Sequence, residues 1–133
     1  MLKIEHIGIA VKELATAVPL FEKLLNSPCY KTETIESEQV NTAFFKTGET
    51  KFELLESSSV NGIIAKYIDK KGEGMHHIAF EVADIEQEME RLKSEGFTLL
   101  NDTPKPGADN KMVCFLHPKG TSGVLIELCM ERK

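Results

Sequence analysis

One pattern occurs twice in this chain, and that repetition constrains the fold more than any other feature. Ile4-Glu5-His6-Ile7-Gly8-Ile9-Ala10-Val11 can be laid on Met75-His76-His77-Ile78-Ala79-Phe80-Glu81-Val82, with His6 on His77. Phe52-Glu53-Leu54 then falls on Ile126-Glu127-Leu128. The offset, about 71 residues, is too long for a solenoid unit and fits a duplicated half-domain. Each half reads as a strand, a helix and three strands. The expected class is therefore α+β: two paired βαβββ modules forming one cupped mixed sheet, with helices on its outer face. At 133 residues there is room for one domain and hardly for two independent cores. The half-modules span approximately 1–58 and 73–133, joined by a helical connector, 59–72.

Local signals place the elements. Alternation marks a strand over Ile4 to Val11, and an apolar stripe of Leu14, Val18, Phe21, Leu24 and Leu25 marks a helix. Pro19 sits inside that stripe, so the helix either begins near Thr16 or bends there. Three short strands follow, Tyr30 to Glu36, Val40 to Lys46 and Thr50 to Glu56. Ser57-Ser58-Ser59 offers caps for a helix from Val60 to Lys70, with Ile63, Ile64, Tyr67 and Ile68 as its apolar face. Met75 to Val82 repeats the first strand. Asp84-Ile85-Glu86-Gln87 has capping-box form for a helix that stops at Gly96. Phe97 to Leu100, Met112 to Leu116 and Gly123 to Met130 read as strands, and Asn101 to Lys111 as a loop.

Side-chain parity turns the repeat into a chemical statement. Ile7, Ile9 and Val11 share one side of the first strand, so His6 shares the other with the small Gly8 and Ala10. By the same argument His77, Glu53 and Glu127 project from the side opposite the helices. A lone strand histidine or glutamate is ordinarily a polar residue on a half-solvated face. Here the same two residue types recur at matched positions. Two imidazoles and two carboxylates meeting in a sheet-lined cup suit a divalent transition metal: cobalt, manganese, nickel or zinc.

Composition removes other classes. Hydrophobic residues are 41% and charged residues 28%, a globular profile. The net charge of −5 argues against a protein built to grip nucleic-acid phosphates. No apolar run is long enough to span a membrane, and Met1-Leu2-Lys3-Ile4-Glu5-His6 lacks the form of a signal peptide. Three widely spaced cysteines, Cys29, Cys114 and Cys129, suit a reduced cytoplasmic chain.

These motifs resemble the vicinal oxygen chelate superfamily, and within it the acyl-CoA epimerases. The resemblance rests on the two His-bearing strands, on Thr50-Lys51-Phe52-Glu53-Leu54-Leu55-Glu56, and on Phe115-Leu116-His117-Pro118-Lys119 with Gly123-Val124-Leu125-Ile126-Glu127-Leu128. It covers almost the whole chain. It implies metal ligands at His6, Glu53, His77 and Glu127. It also implies inversion of methylmalonyl-CoA at the carbon between thioester and carboxylate, with Glu127 and Glu53 as the acid–base groups. His117, Lys105 and Lys119 are the substrate-binding candidates, Lys105, Lys111 and Lys119 form the candidate cationic cluster for the CoA phosphates, and a homodimer is implied. His76 has the parity of the packed side. One departure stands out. Some epimerases carry a free glutamate on the strand matching Val40 to Phe45, where this chain offers only Asn41 and Thr42. The alternatives are a glyoxalase I-type lyase acting on a glutathione hemithioacetal and a non-catalytic small-molecule-binding module of the same superfamily.

Overall fold

The computed structural model describes residues 1–132. The strand–helix–three-strand order is present twice. The first set is β1 (Lys3–Ala10), α1 (Leu14–Leu25), β2 (Lys31–Ile35), β3 (Val40–Thr47) and β4 (Thr50–Ser57). After α2 (Ile63–Lys71) come β5 (Gly74–Glu81), α3 (Ile85–Ser94), β6 (Lys105–Pro106), β7 (Lys111–Leu116) and β8 (Ile126–Glu131). Parallel and antiparallel pairings both occur, and the class is α+β. The chain forms two compact units. One is Ile7–His76; the other combines Met1–His6 with the chain from His77 onward. Among the described residues no helix is long and apolar enough to cross a membrane.

In the Ile7–His76 unit, β2, β3 and β4 pair antiparallel. Val11, Ala17, Ala43, Phe45 and Leu54 form a core under α1, with Ile9, Val18 and Phe21 packed against it. Leu55, Val40 and Ala10 pack instead with Ile64, Tyr67 and Ile68 of α2. The helix α1 begins at Leu14, two residues before Thr16, and runs through Pro19. Its start is secured from a distance: the Leu14 amide donates to Glu56 of β4 at 2.9 Å. A carboxylate there satisfies an otherwise unpaired amide and complements the positive helix end. Asn26 closes the helix in the left-handed region, φ 51°. The helix α2 starts at Ile63, three residues later than the serine caps suggested, and Val60 is 87% exposed. The Ser57 hydroxyl bonds the Ser59 carbonyl and so holds the turn before the helix, not its amides.

In the other unit β8 pairs parallel with β5 and antiparallel with β7, and β6 pairs with β7. Leu128, Cys114, Leu116, Val82, Ile85, Met89 and Leu92 build its core against α3. Asp84 caps that helix by accepting from the Gln87 amide at 3.1 Å, as the sequence predicts. The strand expected over Phe97 to Leu100 is reduced to a bridge between Leu99 and Leu116. Instead the edge strand is Lys105–Pro106, within the stretch read as a loop. An edge position tolerates Pro106, which has no amide to donate.

Candidate metal centre

Register decides which side chains share a side of the sheet. Glu127 lies opposite Ala79 on β5 and Phe115 on β7. Ala79, Val113, Phe115 and Cys129 cluster there, whereas Leu128 and Cys114 pack toward α3. Glu127 therefore projects from the side away from the helix, as parity predicts.

His6 and His77 meet it there. Their Nε2 atoms are 3.0 Å apart, and Glu127 Oε1 lies 3.2 Å from His77 Nε2 and 3.6 Å from His6 Nε2. All three residues are buried. The Phe115 ring stands edge-on to the His77 ring, with centroids 5.9 Å apart. Burial alone would raise the Glu127 carboxyl, but the neighbouring His6 and His77 rings outweigh it and hold the pKa at about 2. Glu127 is thus an anion throughout the neutral range.

The donor set fits a cation. Two neutral imidazoles cannot both turn lone pairs toward each other at 3.0 Å; a proton or a metal ion must lie between them. With metal–ligand bonds of about 2.0–2.2 Å, neighbouring donors around one ion sit about 3 Å apart or slightly more. The three separations here are of that size. Nitrogen–nitrogen–oxygen sites suit the first-row divalent metals.

The other predicted residues have distinct settings. Glu53 is buried in the middle of β4, within the Ile7–His76 unit, opposite Phe44 of β3. Thr42 lies opposite Leu55, which puts it on the same side of that sheet as Glu53. Its hydroxyl is buried without a hydrogen-bond partner. Asn41 faces the other way, donating to Glu56 and accepting from Thr34. His76 packs its ring edge-on to Tyr67, consistent with its packed parity. His117 Nδ1 accepts from the Lys119 amide and caps the turn Pro118–Thr121. Lys105 Nζ lies over the Phe115 ring, 5.8 Å from its centroid. Lys111 differs from its reading as part of an accessible cationic cluster. It is buried and ion-paired to Glu131 at 2.9 Å.

The sequence reading missed Glu5. Its carboxylate lies 2.8 Å from His6 Nδ1, and it is only 2% exposed. Glu5, His6 and Cys129 make a second trio whose candidate ligand atoms lie within 4.8 Å of one another, as do those of His6, His77 and Glu127. The available signal was a charged residue directly before a candidate ligand in an otherwise apolar strand.

Fold and site together define a βαβββ protein with a trio of candidate metal ligands, and comparison with known proteins gives its family. Residues 5–115 match the model of the glyoxalase/bleomycin resistance protein/dioxygenase superfamily, and the chain belongs to that superfamily. It is 36% identical over 129 residues to the uncharacterized Bacillus subtilis protein YqjC, covering 97% of this chain and 92% of that one. It is 35% identical over 127 residues to the human mitochondrial methylmalonyl-CoA epimerase, covering 95% of this chain and 72% of that one. A solved variant of the Streptomyces coelicolor methylmalonyl-CoA epimerase, in complex with 2-nitronate-propionyl-CoA, superposes with a TM-score of 0.94 at 33% identity. That superposition covers 98% of this chain and 95% of the other.

Proposed function

We propose that the protein is a metal-dependent epimerase that interconverts the (R) and (S) forms of methylmalonyl-CoA. The observation that carries this is the convergence of His6 Nε2, His77 Nε2 and Glu127 Oε1 on one buried point, in a chain similar to two epimerases of that name. His6, His77 and Glu127 would hold the ion. Glu53 is the fourth ligand in this reading, on the strength of its repeat position and the family resemblance.

The hydrogen between a thioester and a carboxylate is too weakly acidic to leave unaided at neutral pH. A bound divalent ion supplies positive charge against the oxygens on which the enolate charge develops. The rest falls to the chain. Inversion requires removal of the α-proton on one face and delivery on the other, hence two proton-handling groups. Glu127 and Glu53 are our assignment, each moving the proton at a carboxylate oxygen. Ala79, Val113 and Phe115 form an apolar cluster on the same side of the sheet as Glu127. A CoA thioester needs positive charge for its phosphates, and Lys105, Lys119 and His117 are the groups proposed to meet it. With Lys111 held by Glu131, that role falls on fewer cations than the sequence suggests. A homodimer, which the family resemblance implies, in the cytoplasm, which the cysteine pattern suits, completes the reading.

The test is α-proton exchange. With cobalt supplied, the enzyme is expected to incorporate deuterium at the α-carbon of methylmalonyl-CoA in heavy water and to equalise the two epimers. Removing the metal by chelation should stop both. Absence of exchange in the metal-loaded protein refutes the assignment, and turnover of a glutathione hemithioacetal in its place would establish the lyase alternative.

A further inference from the structure

We infer that Glu5 is a positioning residue for the metal centre, fixing which nitrogen of His6 faces the ion. This rests on the metal-dependent reading above. An imidazole has one proton and two nitrogens, so a histidine ligand is competent only in the tautomer whose lone pair faces the metal. In His6 the two nitrogens have sharply different surroundings. Nε2 faces His77 Nε2 and Glu127 Oε1 at 3.0 and 3.6 Å. Nδ1 faces Glu5 Oε1 at 2.8 Å, a hydrogen-bond distance to a group that, ionised, can only accept. The proton therefore sits on Nδ1 and the lone pair on Nε2.

Burial makes this a built arrangement. Glu5 and His6 are 2% and 4% exposed, so the carboxylate has little water to turn to. A buried carboxylate is tolerated where a donor satisfies it, and the His6 N–H is such a donor. A carboxylate behind a ligand histidine also makes the ring a stronger donor to the metal. The repeat underlines the point by breaking here. Glu5 corresponds to His76, and His76 packs against Tyr67. The two equivalent ligand histidines are thus preceded by unlike neighbours, and the carboxylate belongs to the His6 side.

The same geometry chooses between the two trios. His6 Nδ1 is committed to Glu5, so the ion belongs with His77 and Glu127. In the grouping of Glu5, His6 and Cys129, Glu5 is the orienting partner.

Two measurements test this. In the zinc-loaded protein, nitrogen-15 NMR of the histidine rings is expected to show His6 protonated at Nδ1 and unprotonated at Nε2; the opposite tautomer overturns the proposal without any variant. In Glu5→Gln the carboxylate is replaced by an amide of nearly the same shape. Its zinc dissociation constant, measured by chelator competition, should rise about 10- to 100-fold. Glu5→Asp should recover part of that loss. Tight zinc binding by the wild type together with unchanged affinity in folded Glu5→Gln removes Glu5's role and leaves the metal reading intact. Failure of the wild type to bind zinc, cobalt, manganese or nickel overturns the metal reading and this inference with it.

Discussion

Glu127→Ala is expected to abolish epimerisation, with turnover lower by about a thousandfold or more and metal content reduced in parallel. Three properties of Glu127 combine in that estimate. It supplies the only anionic ligand atom in the trio with His6 and His77. Its pKa of about 2 keeps it ionised at any physiological pH. In the proposed reaction it also handles the α-proton. Removing it takes away the negative charge that lies 3.6 Å from His6 Nε2 and 3.2 Å from His77 Nε2. Glu127→Gln separates these contributions. It preserves the volume and one oxygen but has no charge to offer the ion and no basicity to offer the substrate. Both variants should fold, because Glu127 packs against Ala79 and Phe115 at the edge of a small cluster and not within the main core beside α3. Circular dichroism checks folding, and bound metal and α-proton exchange are measured on the same sample. Activity close to the wild type in either variant excludes Glu127 as ligand and base alike.

Phe45→Ala is expected to cost about 3–5 kcal/mol, the range for emptying a fully buried aromatic site. Phe45 is 0% exposed, packs in the cluster beneath α1 and meets the Phe21 ring with centroids 6.3 Å apart. Neighbours on a paired sheet cannot collapse into the space without breaking the β3–β4 ladder, in which Phe45 opposes Phe52. Lost transfer energy and the cavity therefore add. A loss of this size lowers Tm by about 10 °C or more in a domain of this length. Val60→Ala provides the contrast. At 87% exposure before the true start of α2, it should change stability by less than about 0.5 kcal/mol. Comparable losses in the two variants would show that the cluster under α1 is not the stabilising core of its unit.

Much of the architecture was legible because it depends on short-range periodicity. Two-residue alternation around His6, His77 and Glu127 fixed the side from which each projects, and the duplicated pattern singled them out from other polar strand residues. Asp84 and Asn26 mark helix ends through local hydrogen bonds and backbone preference, so they too can be read from sequence. What stayed hidden was decided across the chain. The start of α1 at Leu14 is held by Glu56, 42 residues away, whereas Pro19 alone left open a start near Thr16 or a bend. Lys111 looked like a free cation because nothing local reveals Glu131 opposite it on β8. Phe97 to Leu100 has strand-like residues, but its backbone reaches β7 through only scattered bonds, from the Leu100 amide to Phe115 and from the His117 amide to Thr98. Glu5 was missed for a subtler reason. Alternation assigns neighbouring strand residues to opposite sides, yet a glutamate side chain is long enough to reach the ring beside it.

The division of the chain into units bears on its synthesis. Residues 7–76 form one compact unit and are translated before any residue from His77 onward. Met1–His6 belong with residues made later, and the Leu2 amide bonds the Glu81 carbonyl. His6 is therefore the first of the three proposed ligands to be translated, and the proposed site is complete only when Glu127 emerges. A nascent chain halted after residue 76 would have residues 1–6 without their partners and only one of the three proposed ligands.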